Sequence, residues 1–349
     1  MGALIPRSRF HPAVFDWAEA ETPHPNRARR GRALRNGSRE AWGIAFSGGP
    51  DSLALLLLVW AHWPERRDRL CALHFDHRMR AGSKADAAFC RRVCLALGIR
   101  YAGGIWRRRP GEPSEAVARE ARMAFIAHAC HGKGIGAVWF GHQQDDVAET
   151  MLMRLARGSG AGGLAAPRPV SPVAGGRSGR DTIRLRPLLT LKKAEIVGAL
   201  RACKIPWRED RTNATDAYFR NRIRSRVVRR WAEASGRDAA AGAAWSRELL
   251  QEDDEALEAW TNARRVFTPG GRLRLDRLDG CPRAVWRRAL HRWIRLQGSN
   301  IGSVSRAGFG TLLGAIERGR PIRQSLGPAS FAILRGRHLM VVGEGRRSS

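Results

Sequence analysis

Between Gly43 and Trp63 an apolar tetrapeptide, GIAF, is broken by SGGPDS and followed by a longer apolar run, LALLLLVWAHW. The short run reads as a buried strand and the longer one as a helix. Two adjacent glycines, Gly48 and Gly49, let backbone N–H groups approach an anion, and the helix start adds partial positive charge. Ser47 and Ser52 supply hydroxyl donors, and Pro50 stiffens the turn. The G-K-[ST] of the common nucleotide loop is absent. Two readings of SGGPDS stand on these residues alone: a strand–helix turn capped by Ser47 or Asp51, and a phosphate loop. In the second, Asp51 would repel phosphate unless a bridging Mg²⁺ or a substrate amine lies beside it.

The same alternation continues to about Arg157. Strands are expected over 70–75, 99–106 and 137–142, and helices over 51–63, 83–98, 114–132 and 145–158. Ser83 and Asp86 have the spacing of a capping box at the start of the second helix. Short, unalternated apolar strands imply burial on both faces, hence a parallel sheet in a doubly wound α/β domain. Such sheets bind ligands beyond the carboxyl ends of their strands. Three polar clusters fall there: Ser47–Ser52, Asp76–Arg80 and His142–Asp146.

The chain has 349 residues, enough for about two domains. It carries 62 Lys+Arg against 32 Asp+Glu, a formal net charge of +30. Such an excess favours a nucleic-acid partner, with a membrane surface as the competing reading. Residues 1–40 read as a basic, poorly ordered extension. Residues 158–182, rich in Gly, Pro and Ser, read as a mobile loop. The stretch 219–231, FRNRIRSRVVRRW, places Ile223, Val227 and Trp231 at helical spacing and arginines on the other faces. From 235 to 349 the pattern predicts a mainly helical domain ending in a small hairpin, FAILRGRHLMVV. The six cysteines form no C-x-x-C pair, which argues against a zinc ribbon or dithiol motif and suits a reducing cytosol. No apolar run is long enough to span a bilayer.

Other motifs each carry two readings. HFDHRMR (74–80) suggests a metal site, but strand alternation separates His77 from His74 and Asp76, favouring a pocket edge. In GHQQDDVAET (141–150), Asp145 and Glu149 lie one turn apart. They are either ordinary first-turn acids or a cluster for Mg²⁺ or a cationic substrate. In EAVAREAR (115–122), Glu115, Arg119 and Arg122 share a face, as a surface ion-pair ladder or as guanidinium clamps for phosphate.

SGGPDS resembles the pyrophosphate loop of the N-type ATP pyrophosphatases. The ordered series HFDHRMR, EAVAREARMAF, GHQQDDVAET, RLARGSGAGGL, RPLL, KKAEI and EDRTNATDAYFRNRIR resembles the tRNA(Ile)-lysidine synthase family over roughly residues 40–230. Gln143 stands where that family usually has a second histidine, Val147 replaces a usual glutamine and Phe125 a usual tyrosine.

The resemblance implies an adenine nucleotide alpha hydrolase-like fold, with an ATP-binding catalytic domain over 41–230 and a tRNA-binding domain over 235–349. It implies a cytoplasmic ligase joining L-lysine to C2 of the wobble cytidine of a CAU-anticodon tRNA(Ile), with ATP and Mg²⁺, and it leaves a homodimer open. In that scheme Ser47, Gly48, Gly49, Pro50, Asp51 and Ser52 hold pyrophosphate. Asp51 and Asp145 hold Mg²⁺ or the lysine amine, and Arg119 and Arg122 neutralise phosphate charge. Asp76, His77, His142, Asp146 and Glu149 face nucleotide or substrate. Arg154, Arg157, Arg220, Arg222 and Arg224 contact tRNA. Three readings compete: a tRNA thiolase, which the absence of cysteine pairs disfavours; an amidotransferase-type ligase, which needs no such charge; and a non-catalytic RNA binder, which the acids at 51, 145, 146 and 149 oppose.

Overall fold

The computed structural model describes residues 1–22, 40–78, 82–106, 115–173, 182–209, 219–298, 304–327 and 330–343. The basic run 24–39, residues 174–181 of the expected loop and residues 210–218 of the EDRTNATD motif lie outside them. The chain forms two compact units, Met1–Leu249 and Leu250–Ser349.

The first unit opens with helix α1 (Pro12–Glu21) and then alternates β1 (Ala41–Ala45), α2 (Pro50–His62), β2 (Leu70–Asp76), α3 (Ser83–Ala96), β3 (Arg100–Ile105), α4 (Glu115–Lys133), β4 (Ile135–Trp139) and α5 (Gln144–Leu155). A short helix α6 (Ala161–Leu164), strands β5 (Val170–Val173) and β6 (Thr182–Leu185) and helix α7 (Lys193–Ala202) follow. The six strands form one sheet in the order β3-β2-β1-β4-β6-β5. All neighbours pair in parallel except the edge strand β5, which runs antiparallel to β6.

The sheet is covered on both faces, so its strands need no polar side. One face packs Trp42, Ile44, Leu70, Ala72 and Trp139 against Leu53, Leu55 and Leu56 of α2 and Cys90 and Cys94 of α3. Each fully buried leucine contributes about 1.5–3 kcal/mol. The other face packs Cys71, Leu73 and Val138 against Ile126, Ala129 and Cys130 of α4. Residues 1–22 are no loose extension: Phe10, Val14 and Ala18 belong to the first core, and Phe10 lies 5.8 Å from the Trp63 ring.

Two local expectations change, and the expected helix of the basic stretch holds with a π-helical segment inside it. The helix beginning at Ser83 is preceded by Gly82 and has no side-chain cap, because Asp86 turns to Arg208 instead. Residues 158–173 are not one open loop, since α6 and β5 form inside them. The basic stretch is helical: α8 (Phe219–Arg222), a π-helical segment (Ile223–Val228) and α9 (Arg229–Ser235).

Helix α10 (Ala239–Ala263) follows. The second unit contains β7 (Leu273–Arg274), α11 (Arg283–Leu296), α12 (Arg306–Glu317), β8 (Arg323–Gly327), β9 (Ser330–Arg335) and β10 (His338–Gly343). Its strands form a four-stranded antiparallel sheet, β7-β10-β9-β8, larger than the expected hairpin. Leu290, Trp293, Leu312 and Ile316 of the helices join Leu326, Ala332 and Leu339 of that sheet in one core.

Candidate functional site

The strand order reverses direction between β1 and β4, so a crevice opens beyond their carboxyl ends. SGGPDS fills one side of it. Gly48 has φ +86°, in the left-handed region that glycine tolerates, and Gly49 is the N-cap of α2. Ser47 N donates to Ser52 Oγ (3.2 Å), the two hydroxyls lie 3.0 Å apart, and Ser52 Oγ donates to Gly49 O (3.1 Å). The loop is braced from two sides. His74 Nδ1 lies 2.9 Å from Phe46 O, and Arg208 N donates to Gly48 O at 3.0 Å. Arg208 Nε in turn donates to Asp86 Oδ1 at 2.7 Å.

The turn after β4 forms the opposite wall. A Cβ on Gly141 would stand 2.9 Å from Asp51 O and 3.1 Å from Ser52 N, so only glycine lets the two loops approach. Gln143 then caps α5 reciprocally: Asp145 N donates to its Oε1 (2.6 Å), and its own N donates to Asp146 Oδ2 (3.0 Å). Asp145 Oδ2 accepts from Lys193 N, the first residue of α7, at 3.0 Å. The ammonium of Lys193 lies 3.9 Å from Asp51 Oδ2. Asp51 Oδ1 is buried and has no hydrogen-bond partner. Burial pushes the Asp51 carboxyl up to about 6, with Lys193 and Arg224 opposing the rise and Asp146 and Asp145 adding to it.

The other two acids are engaged differently. Arg220 reaches Asp146 Oδ1 (2.6 Å) through Nη2 and Glu149 Oε2 (2.7 Å) through Nε, while Arg224 pairs with Glu149 through Nε (2.5 Å). Glu149 is buried, so it needs these partners. Arg220 and Arg224, expected to face tRNA, therefore turn inward and fasten the basic helix to α5. Arg222 instead lies over the Phe219 ring, 5.9 Å from its centre.

His142 sits behind the acids with its Nδ1 buried and unpartnered. Burial, then Arg186, Arg220, Arg119 and Arg122, hold its pKa well below the usual value, so it is neutral at pH 7. Arg119 and Arg122 of α4 thus lie near enough to His142 to act on it. Asp76 is buried at the end of β2 and accepts from Arg78 N (2.8 Å), and His77 packs edge-on against Phe75 and Trp106. Arg154 donates from Nη1 to Gly163 O, pinning the α6 segment, whereas Arg157 is exposed. Sequence reasoning assigned no role to Lys193, Arg184, Arg186 or Arg208. KKAEI at a helix start and the i, i+2 arginines of RLRPLL are the signals that mark the first three.

Among the described residues no three or more His, Cys, Asp or Glu side chains are grouped to enclose a metal ion. Asp51 and Asp145 do suit Mg²⁺, which commonly takes one or two carboxylates and completes its shell with phosphates and water. The unpartnered Asp51 Oδ1 is the observation that fits such an ion. No described helix is long and apolar enough to cross a membrane.

Residues 24–231 match the model of the PP-loop domain family, more than half of the chain. The fold resembles the solved U34-tRNA thiolase NcsA from Methanococcus maripaludis, which carries a [4Fe-4S] cluster (TM-score 0.50, 16% identity, 61% of this chain and 72% of that one). Closer in sequence is a tRNA(Ile)-lysidine synthase from Bradyrhizobium diazoefficiens, 36% identical over 243 residues, 68% of this chain and 63% of that protein. The chain therefore spans less than two thirds of that relative. A tRNA(Ile)-lysidine synthase from Gloeobacter violaceus is 35% identical over 253 residues, 72% of this chain and 75% of its own. Similarity at that depth, over a pyrophosphate loop set at the switch point of its sheet, places the chain in the tRNA(Ile)-lysidine synthase family of PP-loop proteins.

Proposed function

We propose that the protein is a cytoplasmic ligase that joins L-lysine to C2 of the wobble cytidine of a CAU-anticodon tRNA(Ile), consuming ATP. The observation that carries this reading is the meeting of the SGGPDS loop with Asp51, Asp145 and Lys193 in one crevice. The cytidine O2 attacks the α-phosphate of ATP, and pyrophosphate leaves into the loop formed by Ser47, Gly48, Gly49 and Ser52. The lysine ε-amine then displaces AMP, which departs with the former O2, and a C2–N bond replaces C2–O. Asp51 and Asp145 would hold Mg²⁺, which would supply charge neutralisation for the phosphates. Arg119 and Arg122 offset negative charge on the phosphates as the adenylate forms. Neutral His142 offers a hydrogen bond without adding charge. Arg157, Arg222 and the exposed arginines of α9 meet the RNA backbone. A homodimer is compatible with this scheme.

A thiolase chemistry is disfavoured by the cysteines. Cys71, Cys90, Cys94 and Cys130 are buried in the core, and burial pushes the last three thiols up to about 12.

Incubation with transcript tRNA, ATP and radiolabelled lysine tests the proposal. Label should enter the CAU transcript with stoichiometric AMP and should not enter a transcript whose wobble C is replaced by U. Tight tRNA binding without AMP would overturn it in favour of a non-catalytic binder.

A further inference from the structure

On the α4 face of the sheet lies a group of guanidinium ions of which the proposed reaction uses only Arg119. Arg184 and Arg186 are two residues apart at the end of β6, so both side chains leave the same face, opposite the buried Leu185. Both lie over the Phe140 ring, 5.6 and 5.9 Å from its centre, and Phe140 is 5.9 Å from His142. Arg154, from the last turn of α5, and Arg119, from α4, are close enough to depress the Arg186 pKa after burial has done most of the work, bringing it to about 9.

Among the described residues no carboxylate pairs with Arg119, Arg154, Arg184 or Arg186. Arg186 is only 6% exposed, and its Nη1 donates to Arg168 O (2.6 Å) and Ser171 Oγ (3.3 Å). Those bonds aim the group but neutralise nothing. The Nε atoms of Arg184 and Arg186 are buried with no acceptor. Gathering uncompensated cations out of water is costly unless an anion joins them. The pyrophosphate loop leads into α2, which packs on the other face of the sheet, and the charges that act on its Asp51 are Lys193, Asp146, Arg224 and Asp145, none of them in this arginine group. The arginine group therefore stands apart from the charges that act on that loop.

We propose that Arg184 and Arg186, with Arg154, form an oxyanion site that takes a backbone phosphate of the bound RNA next to the reacting nucleotide. This rests on the tRNA reading above. A phosphodiester matches the forked N–H donors of arginine, and the Phe140 ring offers no competing acceptor. The basic helix would then be only one of two places where the RNA backbone is held.

The test compares Arg184→Gln and Arg186→Gln with Arg69→Gln, which removes the same charge at the amino edge of β2. Labelled tRNA is titrated between about 50 and 200 mM salt, ATP affinity is measured separately, and thermal unfolding is followed with and without sulfate. The expected result for Arg184→Gln and Arg186→Gln is roughly tenfold weaker tRNA binding and a salt slope lower by about 1. ATP affinity should be unchanged. The melting temperature of Arg184→Gln should be equal or higher, because like-charge repulsion is relieved, and sulfate should protect it less than the unaltered chain. Arg69→Gln should match the unaltered chain. Unchanged tRNA affinity and slope in Arg184→Gln would overturn the site while leaving the tRNA reading intact. Weakened ATP binding with normal tRNA binding would also overturn it, by assigning the anion to the nucleotide. Failure of the unaltered chain to bind tRNA at all would overturn both proposals together.

Discussion

The Lys193 ammonium lies 3.9 Å from Asp51 Oδ2, while the backbone N–H of the same lysine holds Asp145. One residue at the start of α7 thus orients both carboxylates of the crevice, one through charge and one through the peptide. The arrangement leaves Asp51 poised, since burial raises its carboxyl to about 6 and Lys193 is the largest influence pulling it back. Activity should therefore fall as pH drops through about 6, where Asp51 takes up a proton and ceases to attract Mg²⁺ or an amine. A pH profile of AMP formation checks this limb.

Asp51→Asn separates function from stability. The folded-state pKa is raised above the unfolded value, so the folded chain binds more protons between about 4 and 6, and Asp51 lowers stability as pH rises through that window. At pH 7.5 the asparagine variant should be more stable, by at most about 3 kcal/mol, with the gain vanishing below about pH 4. Its lysine-ligating activity should be lost. Urea unfolding at the two pH values reads the first effect and AMP release the second. A variant less stable at both pH values would contradict the burial argument.

Lys193→Met removes the cation while leaving the backbone N–H that Asp145 accepts. The Asp51 pKa should then rise further, and the acid limb of the pH profile should move upward. The loss should be largest near pH 6 and shrink toward pH 8, where Asp51 is ionised in both proteins. A uniform loss at every pH would show that Lys193 acts on substrate and not on Asp51.

The two inward arginines of the basic helix and its outward ones should behave oppositely. Arg220→Gln strips the buried Glu149 of one of two partners and Asp146 of its closest one, and should cost about 3 kcal/mol. Arg230→Gln, on an exposed arginine of α9, should change stability by no more than about 0.5 kcal/mol and lower the salt dependence of tRNA binding. Chemical denaturation and tRNA titration of both variants measure the pair of effects.

Much of the crevice was legible because it is written in local chemistry. Ser47–Ser52 needed two glycines at a strand–helix turn, and the strand pattern alone put His142–Asp146 at the same edge. What the sequence hid are pairings between distant segments. Nothing in FRNRIR says that Arg220 and Arg224 turn toward Glu149, 71 and 75 residues away, since a basic helix reads the same whether its arginines face RNA or a buried acid. The Ser83–Asp86 spacing failed for the same reason: Arg208 offers Asp86 a charge-assisted bond, which outweighs a cap to its own helix. Strand β7 was missed because two residues, Leu273 and Arg274, carry no period of their own.

Gln143 departs from the histidine usual at its position, and its Oε1 accepts from Asp145 N, which sets the acids at the head of α5. A histidine can do the same. His11 caps α1 in this chain by accepting from Ala13 N at its Nδ1 (3.3 Å). Gln143→His should therefore keep most of the stability at pH 8, where the imidazole is neutral and accepts. A protonated ring cannot accept and is disfavoured at a helix start, so its folded pKa lies below the unfolded one. The contribution is present above about pH 6.5 and is lost as pH falls below it. Gln143→Ala should lose about 1 kcal/mol at both pH values. It should also raise KM for lysine, because Asp145 is no longer oriented by its own N–H. Equal stability of the histidine variant at pH 8 and pH 5 would show that position 143 does not act as a cap.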